Sequence, residues 1–491
     1  MGNGNSSPLI DSIRLENFKA FQDTGTIPLK KITLLVGKNS AGKSSLIKGI
    51  LASAQTARQD SQDNSIFRLV GPLTNLGTFK DTVFQNKKEG EFSIQFGKSG
   101  REGITGRGFS ASGFDNIIQY KYRLTSDEQN PLIGNIAGVE CKVDETLIFS
   151  SGRPRLKQPS LHSKILTKLK FGSKKVFEVE KADQSEVDYT HLPKPIRNIM
   201  QQIKELNQGE SDIGETAYNI EIQNFSVRFP TKQKETNELF RNTIGLVRKV
   251  GFTEPHTMDL TRDLQRLIYI SGIRDEPSRE ARLAQSTGNR IGNKGEDLPM
   301  ELHRRMENEP FMKKFNHNLS MIGVGDSAIT MPSYTKGPDG KQYETGYIKI
   351  MLEVGGELRS LMDLGYGTSQ ILPVIFELSL RRNRIIVIEQ PELHLHPGAQ
   401  SEIGTLLAES IKDGNQLIIE THSPNIIERL KKLIRKGELS ADDVNIIYVG
   451  KTDENKGSYC NVIGFDEKGK FTEKWPEVTF FGEREMELID W

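Results

Sequence analysis

The chain has 491 residues, 35% apolar and 27% charged, with 66 Lys and Arg set against 65 Asp and Glu. That length buries a large core and calls for more than one lobe, while the balance of charge excludes a whole-protein field aimed at nucleic acid. No stretch offers the long uncharged apolar run of a membrane span, and the two cysteines, Cys141 and Cys460, are far too separated for a metal-spaced pair, so a cytoplasmic protein is expected.

The opening Met1-Gly2-Asn3-Gly4-Asn5-Ser6 satisfies the N-myristoylation pattern, yet reads more simply as a leader. Residues 9–20 alternate enough for an early strand entering a turn. The apolar stretch Ile32-Thr33-Leu34-Leu35-Val36 then runs into Gly37-Lys38-Asn39-Ser40-Ala41-Gly42-Lys43-Ser44, which fits G-x-x-x-x-G-K-[ST] at every fixed position. A helical segment starts at Ser45. In this strand–loop–helix setting the backbone N–H groups cradle phosphates at a helix N-terminus. Gly37, Asn39, Ser40, Ala41, Gly42, Lys43, Ser44 and Ser45 are therefore the candidate nucleotide-binding residues. Lys43 would reach the β- and γ-phosphates of ATP and Ser44 would hold Mg²⁺.

Further along, segments 91–96, 117–125, 139–149 and 218–229 read as strands, with a glycine-rich break at 103–113. Residues 236–269 and 298–322 read as helical, 288–295 as a loop and 347–354 as another strand. Residues 151–177 hold Arg153, Arg155, Lys157, Lys164, Lys168, Lys170, Lys174 and Lys175 and no acid. This stretch, 153–175 at its densest, is a candidate for nucleic-acid backbone, against the plainer reading of a solvated face; few aromatics interleave it. No repeat of fixed period and no sustained heptad array appears, so no long coiled coil is expected.

The second half of a phosphate site lies near the C-terminal end. Residues 384–388 form an apolar run that delivers Glu389, Gln390 and Glu392, where a phosphate-loop fold places its Mg²⁺-binding acid. A second run, 416–419, ends in Glu420-Thr421-His422-Ser423, which places a histidine where it could sense the γ-phosphate. Upstream, Gly365, Gly367, Thr368, Ser369 and Gln370 precede an apolar helical run and make another anion-binding helix start. His394 and His396 are better explained by packing beside Pro397 than by metal ligation.

With these pieces in this order the chain resembles the ABC-type ATPase heads of the SMC/RecF/OLD group. Within it, the resemblance is strongest to compact ATPases of bacterial anti-phage systems such as the Septu ATPase. Residues 13–21, the phosphate loop, 71–81, 272–279, 365–370, 388–397, 420–423 and 475–481 carry the resemblance, and 97–266 are largely outside it. The resemblance implies an α/β P-loop NTPase with an ABC-type head, a mixed sheet lobe plus a helical lobe, and an inserted β-rich and helical region. It implies a dimer or higher oligomer with ATP sandwiched between copies, Gly365, Gly367, Ser369 and Gln370 acting in trans. Ser44 and Glu389 are then the metal residues, and Gln390, Glu392 and His422 the catalytic ones. One departure stands out: where the ABC pattern has aspartate then glutamate, this chain has Glu389 then Gln390. A glutamine orients water but cannot accept its proton, so turnover is expected to be slow, or the base is Glu392 or Glu420. Gln85 and Gln95 are the candidates for the glutamine loop.

About seventy residues follow His422, too few for the nuclease domain of OLD-type proteins, so any nuclease is expected to be a separate partner, of HNH type. The expected segmentation is an ATPase lobe at 1–150, an insertion and helical region at 151–335, a second ATPase lobe at 336–470 and a tail at 471–491. The alternatives left open are a RecF-like DNA-maintenance ATPase and a nucleotide-sensing scaffold with little hydrolysis.

Overall fold

Parallel strands buried on both faces read as continuous apolar runs, and four of the runs in this chain are laid side by side. Ile32–Val36, Ile385–Glu389, Gln416–Glu420 and Val444–Lys451 are almost wholly buried. With the short strand Ile268–Ile270 on one edge and Ser458–Ile463 on the other, they form a sheet of six. Its order is 268–270, 385–389, 416–420, 32–36, 444–451, 458–463, all parallel except the last strand. The computed structural model describes residues 8–58, 66–86, 90–99, 117–126, 130–143, 146–152, 166–171, 174–177, 221–223, 226–228, 254–283, 291–380, 383–452 and 457–476.

The chain divides into two compact units, one of Met1–Leu9, Ile27–Ile47 and Arg266–Trp491, the other of Ile10–Thr26 and Lys48–Gln265. Both are built from separated stretches, whereas the segmentation read from the sequence was linear. In the first unit the parallel sheet packs against helices Glu309–Ile322, Tyr366–Ser379, Pro397–Lys412 and Pro424–Arg435 around one large apolar core. Three of these helices carry proline in the first turn, where its missing N–H costs nothing. Glu309–Ile322 also has an Asn308 cap and stops at Gly323, whose φ of 80° is the left-handed stop glycine supplies. A smaller antiparallel sheet, Ser327–Lys336, Gln342–Val354, Glu357–Ser360 and Ala281–Arg282, completes the unit.

The second unit is an antiparallel meander in the order 174–177, 166–171, 146–152, 133–143, 117–126, 92–99, 12–18, 21–23, with 66–68 paired to 133–143. Antiparallel neighbours need only short connections, so this order follows the chain closely. Residues 139–149, expected as one strand, divide between Ile133–Val143 and Thr146–Gly152, which pair with each other. Phe18, Phe67, Phe79 and Phe92 pack edge-on and tilted in its core. Of the basic stretch, Lys168, Lys170, Lys174 and Lys175 lie on paired strands, while 153–165 fall outside the described residues. Gln85 sits in a short turn with φ 58° and Gln95 on the strand Phe92–Ser99. Among the described residues no helix is long and apolar enough to cross a membrane.

Candidate nucleotide site

The site grows from the C-terminal ends of the parallel strands, where open α/β sheets place their ligands. The strand Ile32–Val36 hands the chain to Gly37, whose φ is 141° and whose missing Cβ would sit 2.1 Å from the Val449 carbonyl oxygen. No side chain fits there. Ser40 (φ 62°) and Gly42 (φ 114°) are also left-handed, so the loop wraps tightly before the helix Lys43–Ala57 begins. Lys43 is 3% exposed, and its Nζ donates to the carbonyls of Gly37 at 2.8 Å and Lys38 at 3.0 Å. The loop is thus curled around its own lysine.

The strand beside the phosphate loop is the one ending in Glu420, not the one ending in Glu389. Glu420 pairs in register with Leu35 on one side and with Glu389 on the other. Glu420 Oε1 lies 3.7 Å from Lys43 Nζ. Burial pushes the Glu420 carboxyl up to about 7, with the Glu389 and Glu392 charges adding to the rise and Lys43 opposing it. Burial likewise lowers the Lys43 ammonium, against the pull of Glu420.

Glu389 lies one strand further out. Its carboxylate faces the Tyr269 hydroxyl, which burial and that charge push above the ordinary tyrosine range. Gln390 follows in a left-handed turn (φ 44°), its N–H donating to the Glu420 carbonyl at 2.7 Å. Glu392 is 7% exposed, and its Oε1 accepts the His422 backbone N–H at 2.6 Å. Burial raises the Glu392 carboxyl. Burial, and secondarily Lys43, pushes the His422 imidazole below the ordinary histidine range, and its Nε2 is buried without a hydrogen-bond partner. Gln400 joins the two loops: Oε1 accepts from Ser423 Oγ and Asn425 Nδ2, and Nε2 donates to the Leu395 carbonyl.

The run at 365–370 starts the helix Tyr366–Ser379, whose cap, Gly365, is exposed and adds no side-chain hydrogen bond. Gly367, Ser369 and Gln370 turn inward. A Cβ on Gly367 would stand 2.3 Å from the His394 carbonyl oxygen, Ser369 Oγ donates to the Tyr366 carbonyl, and Gln370 is 3% exposed. His394 lies edge-on to Tyr366 at 4.9 Å, and His396 Nδ1 caps the helix Pro397–Lys412 by accepting from Ala399 N–H.

Two residues of the site were missed as individuals. Arg274 is 2% exposed and donates Nη2 to the Glu389 carbonyl at 2.8 Å; Tyr269 meets the carboxylate of the same glutamate. Both belong to the 268–274 segment, whose three-residue strand is too short for a periodicity signal.

The donors fit a triphosphate with Mg²⁺. A glycine cradle with no room for side chains, a buried ammonium and one or two carboxylates are what such a group takes, since Mg²⁺ keeps waters and phosphate oxygens as its other ligands. Residues 9–427 match the family model described as AAA ATPase domain. Similar solved structures include the Smc head bound to the C-winged helix domain of ScpA (12% identity, 94% of this chain and 99% of that one, TM-score 0.41). Others are an Smc head with an extended coiled coil bound to the C-terminal domain of ScpA, derived from Pyrococcus furiosus (12%, 99% and 99%, TM-score 0.40), and the SMC head domain from Thermotoga maritima (10%, 93% and 99%, TM-score 0.35). No curated protein matches the chain.

Proposed function

The chain belongs to the AAA ATPase domain family, and from that premise we propose that it binds ATP with Mg²⁺, hydrolyses it slowly and uses the bound state as a switch. The observation that carries this reading is the buried Lys43 enclosed by its loop and 3.7 Å from Glu420, at the edge where Glu389 also ends. Mg²⁺, when bound, would neutralise phosphate charge. Ser44 and Glu389 would hold it. Lys43 exchanges the Gly37 and Lys38 carbonyls for phosphate oxygens. His422, with a free Nε2, meets the γ-phosphate.

For the base, Glu420 is the better candidate. A carboxyl near 7 is matched to accept a proton at neutral pH, and Glu420 faces the lysine. Gln390 orients the water. Glu392 holds the His422 backbone, a task that leaves it a supporting part.

The finer reading is a cytoplasmic ATPase of anti-phage defence that dimerises around ATP and governs a separately encoded nuclease, HNH type favoured, with nucleic acid as a candidate ligand of 153–175. Motif resemblance supports it, and so does the exposed, uncapped helix start at Gly365, where the open N–H groups of the first turn can meet a second copy's nucleotide. Glutamine at 390 keeps a second reading alive, a nucleotide-sensing scaffold. Purified protein is tested for ATP binding by titration calorimetry and for phosphate release with and without DNA. Binding with steady release supports the ATPase; tight binding with no release supports the scaffold; no binding by protein identical in fold defeats both.

A further inference from the structure

Burying a guanidinium is costly unless its donors are matched, and buried unmatched donors in a folded protein call for a reason. Arg274, at 2% exposure, has one matched nitrogen: Nη2 donates to the Glu389 carbonyl at 2.8 Å and to the Gln390 carbonyl at 3.4 Å. Nε and Nη1 are buried with no partner. Burial brings the guanidinium down to about 10, against the opposing pull of Glu392 and Glu389. An apolar side chain of the same length would fill this space at less cost.

What the arginine reaches is a strained turn at the end of the acidic strand. Gln390 has φ 44°, a left-handed conformation that is strained for a residue other than glycine. Its N–H is anchored to the Glu420 carbonyl on one side, and its carbonyl is anchored by Arg274 on the other. Tyr269, in the same segment, faces the Glu389 carboxylate. The parallel register of Ile268–Ile270 with Ile386–Ile388 delivers both residues to this point. A Cβ on Gly272 would be in contact with Gln390 Oε1 and Glu389 Cβ at 3.5 Å, so the segment lies directly against the turn.

We propose that Arg274 is a positioning residue for hydrolysis, holding the Glu389–Gln390 turn so that Glu389 is presented to the metal and Gln390 to the water, with Tyr269 orienting the Glu389 carboxylate. This rests on the ATPase reading. The test is Arg274→Met in the full-length chain, with stability measured beside function because it takes one charge from a buried cluster that includes Glu389 and Glu392. Four quantities are compared with the parent: melting temperature and amide exchange at Gln390 without nucleotide, ATP affinity, and kcat. The expected result is a folded protein with a cooperative melt, exchange at Gln390 about tenfold faster or more, affinity within about threefold, and kcat down by about tenfold or more. Should Arg274→Met fail to fold, Arg274→Lys is read the same way, because lysine keeps the charge and loses the planar guanidinium whose Nη2 reaches both carbonyls. The proposal is overturned if exchange at Gln390 and kcat both stay within about twofold, or if affinity falls as far as kcat. Absence of ATP binding by the parent would instead defeat the ATPase reading, with the exchange result still deciding whether Arg274 holds the turn.

Discussion

Glu389 and Glu420 end neighbouring strands in register, each closing a strand of five residues, yet their surroundings share almost nothing. Glu420 lies between Glu389 and the phosphate-loop strand, buried beside an ammonium, and its carboxyl rises to about 7. Glu389 is half-buried, faces a tyrosine hydroxyl, and has its backbone carbonyl held by an arginine. The difference teaches that an acid at a strand end acquires its job from the strand order, which decides whose side chains it meets.

The comparison breaks most visibly at the lysine. Lys43→Ala is expected to weaken ATP binding by about a hundredfold or more, measured by titration calorimetry. Glu420→Gln should leave ATP bound and lower the rate of phosphate release by about a hundredfold, with Glu392→Gln costing nearer tenfold through a loosened His422. The reverse ranking would move the base to Glu392. Glu389→Gln should raise the Mg²⁺ concentration needed for half-maximal hydrolysis by about tenfold, leaving the affinity for metal-free nucleotide unchanged.

A pH experiment separates the two acids without nucleotide. Because burial raises the Glu420 carboxyl from 4.5 to about 7, the folded state binds the proton more tightly than the unfolded chain. Its contribution to stability is therefore complete below about 4.5 and is lost as the pH rises through about 7. Glu420→Gln should flatten that part of the melting-temperature profile, whereas Glu389→Gln should keep it and move its midpoint to lower pH, by removing one of the charges that raise the Glu420 carboxyl. The smallest effect belongs to Tyr269→Phe, expected to lower kcat by about threefold with no change in fold.

Much of the grouping of residues at this candidate site was legible. Lys43 and its loop follow from glycine spacing, and Glu389, Glu420 and His422 from apolar runs that end in polar residues. The α/β phosphate-loop fold was legible for the same reason, since buried parallel strands announce themselves as uninterrupted Ile, Leu and Val. Strand order was not. Nothing in residues 385–389 or 416–420 says which lies beside Ile32–Val36, and that choice makes Glu420 the lysine's partner. Arg274 and Tyr269 escaped because their strand has three residues and its partner is more than a hundred positions away. The inward aim of Ser369 and Gln370 depends on helix rotation, which their spacing leaves open.

The placement of Ile32–Val36 at the centre of the sheet has a consequence for how the protein is made. Both neighbours, 416–420 and 444–451, leave the ribosome about 380 residues or more after it, so this five-residue apolar strand waits unpaired through most of synthesis. The nucleotide pocket is among the last parts to be assembled, and a nascent chain halted before residue 416 carries the complete glycine loop with no adjoining strand to stiffen it.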